Sequence, residues 1–158
     1  MDMLASRLLR VALVVPLLGT VLVQIGTPML ASEEGGTFPE VAYLVVPYSM
    51  AAILFIGCGQ VALVAVWRLL SLVNGGVIFT RGALRWVDVI TACAGVATAL
   101  SACVLIHMLG FVPGGGGPTV YFLAACVAGG LAFVLLMVVM RGLLESAIAH
   151  RAELDEVI

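Results

Sequence analysis

Charged residues are scarce in this chain of 158 residues, and lysine is absent altogether. Only 10% of the residues are charged and 63% are apolar, whereas a soluble domain has about a quarter of its residues charged and about half apolar. The composition therefore excludes an ordinary soluble domain. The net charge of −2 and the lack of a basic run argue against direct nucleic-acid binding, which needs a clustered positive face to neutralise phosphates.

Four long apolar stretches are present instead. Each has about 20 residues or more, enough for an α-helix to cross a hydrocarbon core of about 30 Å. We therefore predict an all-α integral membrane four-helix bundle, built as a single membrane domain over residues 1–158. The first stretch exceeds the apolar core of about 7–15 residues found in secretory signals, so we interpret it as a retained helix. The predicted transmembrane helices are about 11–30, 42–66, 87–111 and 119–140, with a connecting loop at 67–86 and a tail at 141–158.

Positive charge is confined to one side of the membrane that these helices imply. The arginines precede the first stretch, separate the second from the third, or follow the fourth, and the other two connections have none. The positive-inside rule then predicts that both termini and the middle loop are cytoplasmic. We expect a multi-pass protein of the bacterial plasma membrane, with anionic lipid headgroups at its inner face. The seven arginines are Arg7, Arg10, Arg68, Arg81, Arg85, Arg141 and Arg151.

The middle connection carries clear signals for helix ends. The sequence Asn74-Gly75-Gly76 predicts a helix stop, because Asn and Gly tolerate the left-handed conformation of a C-cap. Thr80 suits the N-cap of the third helix, and Phe79 and Leu84 have the spacing of a hydrophobic staple. The tail is also predicted to be helical, with Leu144, Ile148 and the stem of Arg151 on one stripe.

Small residues recur every four positions on the third and fourth helices. Such rows let helix backbones approach closely in lipid. We expect them to pack inside the bundle, with homodimerisation through the same stripe as the alternative. The two rows are Gly95, Ala99 and Cys103, and Ala124, Ala128 and Ala132, with Ala125 and Gly129 alongside the second.

The run RLLSLVNGGVIFTRGALRWVDVI at 68–90 resembles a pattern of small bacterial four-helix membrane proteins in the domain-of-unknown-function family 2975. The ending MRGLLESAIAHRAELDEVI is similar to that of actinobacterial members. The resemblance implies the four-helix architecture and no established activity. Members are often encoded beside a small helix-turn-helix regulator, which implies a regulatory pairing. The residues that carry the resemblance are Arg68, Gly76, Phe79, Thr80, Leu84 and Arg85.

Catalytic constellations are not evident, and we predict neither an enzyme nor a cofactor. Asp88 lies near the inner interface, where we expect it to pair with Arg85 or to favour the positive helix end. His107 is interpreted as an interfacial or hydrogen-bonded histidine, since a haem would need a second axial ligand and His150 lies on the other side of the membrane. Gln24 is placed towards the outer side and Gln60 towards the inner side, so we expect them not to meet.

The four cysteines do not form a redox or metal motif. No CxxC pair occurs, and two of the cysteines on the third helix are about 15 Å apart, beyond the reach of a disulfide. We therefore interpret them as small apolar fillers, unlike the paired cysteines of quinone-linked thiol oxidases. They are Cys58, Cys93, Cys103 and Cys126.

The function we predict is that of a non-enzymatic membrane protein acting as an interaction or regulatory subunit through its cytoplasmic loop and tail. A protein partner or a homo-oligomer is expected. The alternative is a small transporter or a module that binds lipid or apolar ligands, which a cavity opening to lipid with Gln60 or Ser101 at its wall would favour. The residues predicted to contact a partner or lipid are Arg68, Phe79, Thr80, Arg81, Arg85, Glu145, Arg151, Leu154 and Asp155.

Overall fold

The described part of the chain consists of four long α-helices. A computed structural model describes residues 3–37, 42–74, 81–111 and 117–155. Each helix contains a segment long and apolar enough to cross a membrane, and no strand occurs within these ranges. The predicted all-α fold with four helices long and apolar enough to span a membrane is therefore confirmed. The helices are α1 (Met3–Thr37), α2 (Ala42–Asn74), α3 (Arg81–Phe111) and α4 (Gly117–Asp155).

The two inner helices extend into the connection that was predicted between them. α2 ends at Asn74, as the Asn-Gly-Gly signal predicts, and α3 begins at Arg81, directly after the predicted N-cap position. Residues 67–74 and 81–86 of the predicted loop are therefore helical. The staple and cap residues Phe79 and Thr80 lie outside the described residues.

α1 likewise extends into the predicted outer connection. Glu33 and Glu34 fall in the predicted connection between the first two helices, 11–30 and 42–66. In the structure α1 continues through both of them to Thr37. The helix also runs unbroken through Pro16 and Pro28, as proline is tolerated within membrane helices. The prediction from apolar length alone therefore underestimated how far this helix continues beyond its spanning segment.

The helices pack in a row in chain order. Within the described residues α1 packs on α2, α2 on α3 and α3 on α4, and no other pair of helices is in contact. α2 and α3 are thus the inner helices, while α1 and α4 form the two edges. The bundle is open, because α1 and α4 do not close it.

Neighbouring helices are antiparallel, and the register is nearly symmetric about the second and third connections. Tyr48 lies near the start of α2, and its partner His107 lies near the end of α3. Asp88 lies near the start of α3, and its partner Arg141 lies in the second half of α4. We call the end of the row that contains Arg68, Arg85 and Arg141 the arginine end, and the end that contains Tyr48 and His107 the opposite end.

Among the side chains whose burial the structure describes, the buried ones lie on the two inner helices. Ala65 is fully buried, and the remaining buried side chains also lie on α2 and α3. Large apolar side chains are exposed along the helices, for example Leu22 at 70% and Leu135 at 65%. An apolar surface of this extent is suited to contact with lipid tails rather than water. The other buried residues are Leu44, Leu70, Ile90, Thr98 and Ser101.

Candidate functional site

An ion-pair network joins α3 to α4 at the arginine end. Arg141 Nε donates to Asp88 Oδ1 at 2.6 Å, and Arg141 Nη1 donates to Glu145 Oε2 at 3.2 Å, one helical turn further along α4. The side chains of all three residues are 42–60% exposed. From the sequence we expected Asp88 to pair with Arg85 or to favour the positive helix end. Its partner is Arg141 instead, because the antiparallel register brings that residue to the level of Asp88. Arg85 is exposed.

α4 continues as a helix well beyond this network. From Arg141 to Asp155 it extends by about 20 Å, which confirms the predicted helical tail up to Asp155. Arg141, Leu144 and Ile148 are half-buried, whereas Leu143 and Ala147 on another face are exposed. The extension is therefore held against the rest of the protein along one stripe and presents a free face on the other.

The predicted contact residues are only partly brought together. Glu145 belongs to the ion-pair network, and Arg68 is exposed on α2, two helices away from α4 in the row. Arg81 is the first residue of α3. The last three predicted residues lie in the α4 helix, and their side chains are outside the described part of the protein: Arg151, Leu154 and Asp155.

A lateral groove opens on α3 between its two neighbours. It has a volume of about 180 Å³ and an almost wholly apolar wall, to which α2, α3 and α4 all contribute. Ser101 and Cys126 add two small polar groups to this wall. The Ser101 hydroxyl donates to the Ala97 carbonyl at 3.0 Å, so its donor is already occupied. Sequence analysis named a cavity with Gln60 or Ser101 at its wall as the feature that would favour the alternative function, a transporter or a module that binds lipid or apolar ligands.

α3 and α4 approach each other closely at Thr98 and Gly130. A Cβ atom placed on Gly130 would lie 2.2 Å from Thr98 Oγ1 and 3.1 Å from Thr98 Cβ. The buried Thr98 hydroxyl donates to the Ala94 carbonyl at 2.7 Å. Glycine at 130 therefore sets the distance between these helices.

The predicted rows of small residues do not form this interface. On α3, Ala99 and Cys103 are exposed, and on α4 the predicted row is exposed throughout. The prediction of packing inside the bundle was wrong for these positions, because α3 and α4 meet along the neighbouring stripe of Thr98 and Gly130. The exposed α4 residues are Ala124, Ala125, Ala128, Gly129 and Ala132.

The two intramembrane glutamines meet between α1 and α2. Gln60 Nε2 donates to Gln24 Oε1 at 3.0 Å, and Gln24 Nε2 donates to the Ile53 carbonyl at 3.3 Å. The expectation that they would not meet was wrong. That expectation compared only the depths of Gln24 and Gln60 in the membrane. It neglected the length of the two side chains, each of which can reach a residue about one turn away.

An aromatic cluster joins α2 to α3 at the opposite end. The Tyr48 hydroxyl lies 2.9 Å from His107 Nδ1, and the two rings meet edge to face with centroids 5.9 Å apart. His107 also stacks on Phe111 at 5.3 Å. His107 is thus the hydrogen-bonded histidine that the sequence predicted, although Tyr48 was not foreseen as its partner.

Nucleophilic and metal-binding groups remain dispersed. All four cysteines are free; Cys103 is exposed on α3, and the other three are half-buried. In the described part of the chain, no group of three or more His, Cys, Asp or Glu side chains is placed to hold a metal ion.

These features define a multi-pass membrane protein with four helices, lateral grooves and an ion-paired α4 extension. The chain belongs to the family described as protein of unknown function (DUF2975), whose family model matches residues 29–158. The expected family membership is therefore confirmed over α2, α3, α4 and the end of α1. No curated protein and no solved structure matches the sequence.

Proposed function

We propose that this protein is a non-enzymatic interaction or regulatory subunit of the bacterial plasma membrane, with the arginine end in the cytoplasm. The proposal rests on one observation: α4 continues beyond Arg141 to Asp155 as a single helix, and Arg141 ties it to α3. Because the Asp88–Arg141–Glu145 network fixes its base, the extension keeps a defined direction and a defined exposed face.

The exposed face suits a partner helix. Leu143 is 63% exposed, and Ala147 is exposed one turn further along. A large and a small apolar residue at this spacing form a shallow surface onto which a second helix can pack. Glu145 and the acidic residues that follow would favour a partner with basic side chains at the rim of its contact surface.

A photo-reactive amino acid at Ala147 tests this surface in intact cells. We expect a discrete crosslinked protein from position 147 and none from Ser32, which is exposed on α1 away from the arginine end. Changing Leu143 to Asp, or deleting residues 149–158, should remove the adduct while the protein still inserts. Equal adducts from both positions, or an adduct that survives both changes, would overturn the proposal.

The orientation is tested separately. In a variant without native cysteines, a cysteine at Ser32 should react with an impermeant thiol reagent applied to intact cells, whereas one at Ser146 should react only after lysis. Both serines are exposed. Labelling of Ser146 and not Ser32 in intact cells would reverse the assignment.

A second candidate function is binding of an apolar ligand in the groove of α2, α3 and α4. The observation that favours it is the groove of about 180 Å³ with Ser101 in its wall. Labelling with a diazirine-bearing fatty acid should give adducts on Phe122 or Cys126, and Ala52→Phe, which fills the groove, should abolish them. Ala132→Phe, on the exposed face of α4, is the matched control and should leave them.

A further inference from the structure

A second groove lies between α1 and α2 near the arginine end. Its volume is about 280 Å³. α1 contributes two leucines, and on α2 two aliphatic residues precede a tryptophan and an arginine that lie nearer the arginine end. The residues that line it are Leu13, Leu17, Leu63, Val64, Trp67 and Arg68.

The order of these groups matches the order of groups in a phospholipid. The aliphatic residues lie on the apolar segments of both helices, as an acyl chain would, and Arg68 lies near the end of that segment of α2, at Leu72. Trp67 is half-buried and Arg68 is exposed. Tryptophan is typical of the level of the headgroups, and its indole N–H can only donate a hydrogen bond.

The positive charge in the wall of this groove favours an anionic lipid. Arg68 offers a guanidinium that can donate two parallel hydrogen bonds to a phosphate, and among the side chains that the structure describes no carboxylate pairs with it. The other lateral groove has no charged residue in its wall.

We infer that the groove between α1 and α2 is a binding site for an anionic phospholipid, with one acyl chain along Leu13, Leu17, Leu63 and Val64 and the phosphate at Arg68 and Trp67. This site lies on the first two helices and does not depend on the proposed partner surface of α4.

The two tryptophans of the chain allow a direct test. In a Trp86→Phe variant, Trp67 is the only indole. The protein is reconstituted into phosphatidylcholine vesicles that contain either brominated phosphatidylglycerol or brominated phosphatidylcholine at equal mole fraction. Bromine quenches a neighbouring indole, so we expect about a fivefold preference for the anionic lipid in the quenching of Trp67, as one arginine near the membrane surface would give.

Arg68→Gln should reduce this preference to about one. Arg85→Gln, which removes an exposed arginine from the same end of α3, is the matched control and should leave the preference intact. Absence of any preference in the parent, or an equal loss in both variants, would overturn the site in favour of general surface charge.

The groove itself is tested by filling it. Val64→Phe should lower quenching by the anionic lipid several-fold, whereas Val61→Phe, which lies one turn away and outside the groove, should not. If Val64→Phe retains the full preference, the acyl chain does not lie between α1 and α2 and the inference is wrong.

Discussion

The two helical hairpins of this protein are held together by different means. In the first hairpin, α1 meets α2 through the long side chains of Gln24 and Gln60, and a groove of about 280 Å³ stays open beside them. In the second hairpin, α3 meets α4 at Thr98 and Gly130 with no room for a further carbon atom. Its end is fixed by the ion pair of Asp88 with Arg141.

This difference between the two hairpins shows how side-chain size sets the distance between membrane helices. Lipid tails are as apolar as the side chains they replace, so helices associate through close packing and hydrogen bonds rather than through the hydrophobic effect. A glycine permits close packing, as in the second hairpin. Two glutamines hydrogen-bond at a distance and leave space for another molecule, as in the first. We therefore expect the second hairpin to contribute more to stability and the first to retain lipid.

Gly130→Ala should have the largest effect. The added Cβ would meet the Oγ1, Cβ and Cγ2 atoms of Thr98 at 2.2, 3.1 and 3.2 Å. Rotation of Thr98 can move Oγ1 but leaves its Cβ too close, so the two helices must shift apart slightly. We expect a loss of about 1–3 kcal/mol in the free energy of unfolding. A thermal scan in mild detergent, followed by tryptophan fluorescence, would measure it.

Gly129→Ala is the matched control for this prediction. No atom lies within 4 Å of a Cβ at position 129, so the alanine should raise stability slightly through its better helix propensity. Thr98→Ala combined with Gly130→Ala should recover part of the loss. If the Gly130→Ala protein is as stable as the Gly129→Ala protein, the approach of Gly130 to Thr98 does not limit the packing of the second hairpin.

Gln60→Leu should have a smaller effect on the first hairpin. It removes the donor to Gln24 Oε1 at 3.0 Å, and a hydrogen bond of this kind between membrane helices contributes about 0.6 kcal/mol. In a Gln24→Leu background the same change should cost less, since its partner is already absent. Additive losses in this double-mutant cycle would indicate that the hydrogen bond contributes nothing.

The ion pair at the arginine end should affect local order more than overall stability. Asp88 and Arg141 are half-exposed, and salt screens such pairs. Asp88→Asn should therefore change the thermal midpoint little, but it should increase the mobility of a spin label at Ser146 on the α4 extension. The increase should vanish in high salt, where the parent protein becomes equally mobile. A spin label at Ser32 on α1 is the control, and its mobility should not respond to the substitution.

The architecture could be predicted from the sequence because the signals for it are local. Apolar length identifies a spanning helix without knowledge of its neighbours, and Asn74 with the following glycines marks the end of α2 from a few residues. The helical tail followed from its own periodicity. These predictions needed no contact between helices.

The contacts could not be predicted because they depend on register and on helix rotation. A helix rotation by one residue, about 100°, replaces Ala99 by Thr98 at the interface. Both residues are small enough to pack against α4, so size alone does not predict which one does. The register did leave a signal: partners lie at nearly equal distances from the connection, as Tyr48 and His107 do. That rule, applied to Asp88, would have indicated Arg141 rather than Arg85.

The cysteines should have the smallest effect of all. Cys103 is exposed on α3 and the other three are half-buried and free, so none closes a disulfide and each fills only the volume of a small apolar side chain. Replacing Cys103 by Ala should leave the thermal midpoint unchanged. Cys126→Ala enlarges the groove of α2, α3 and α4, and we expect a slightly lower midpoint because a few packing contacts are lost. A marked loss of stability from Cys103→Ala would instead place that residue in a contact with another molecule, and the open face of the second hairpin would then be the surface to study.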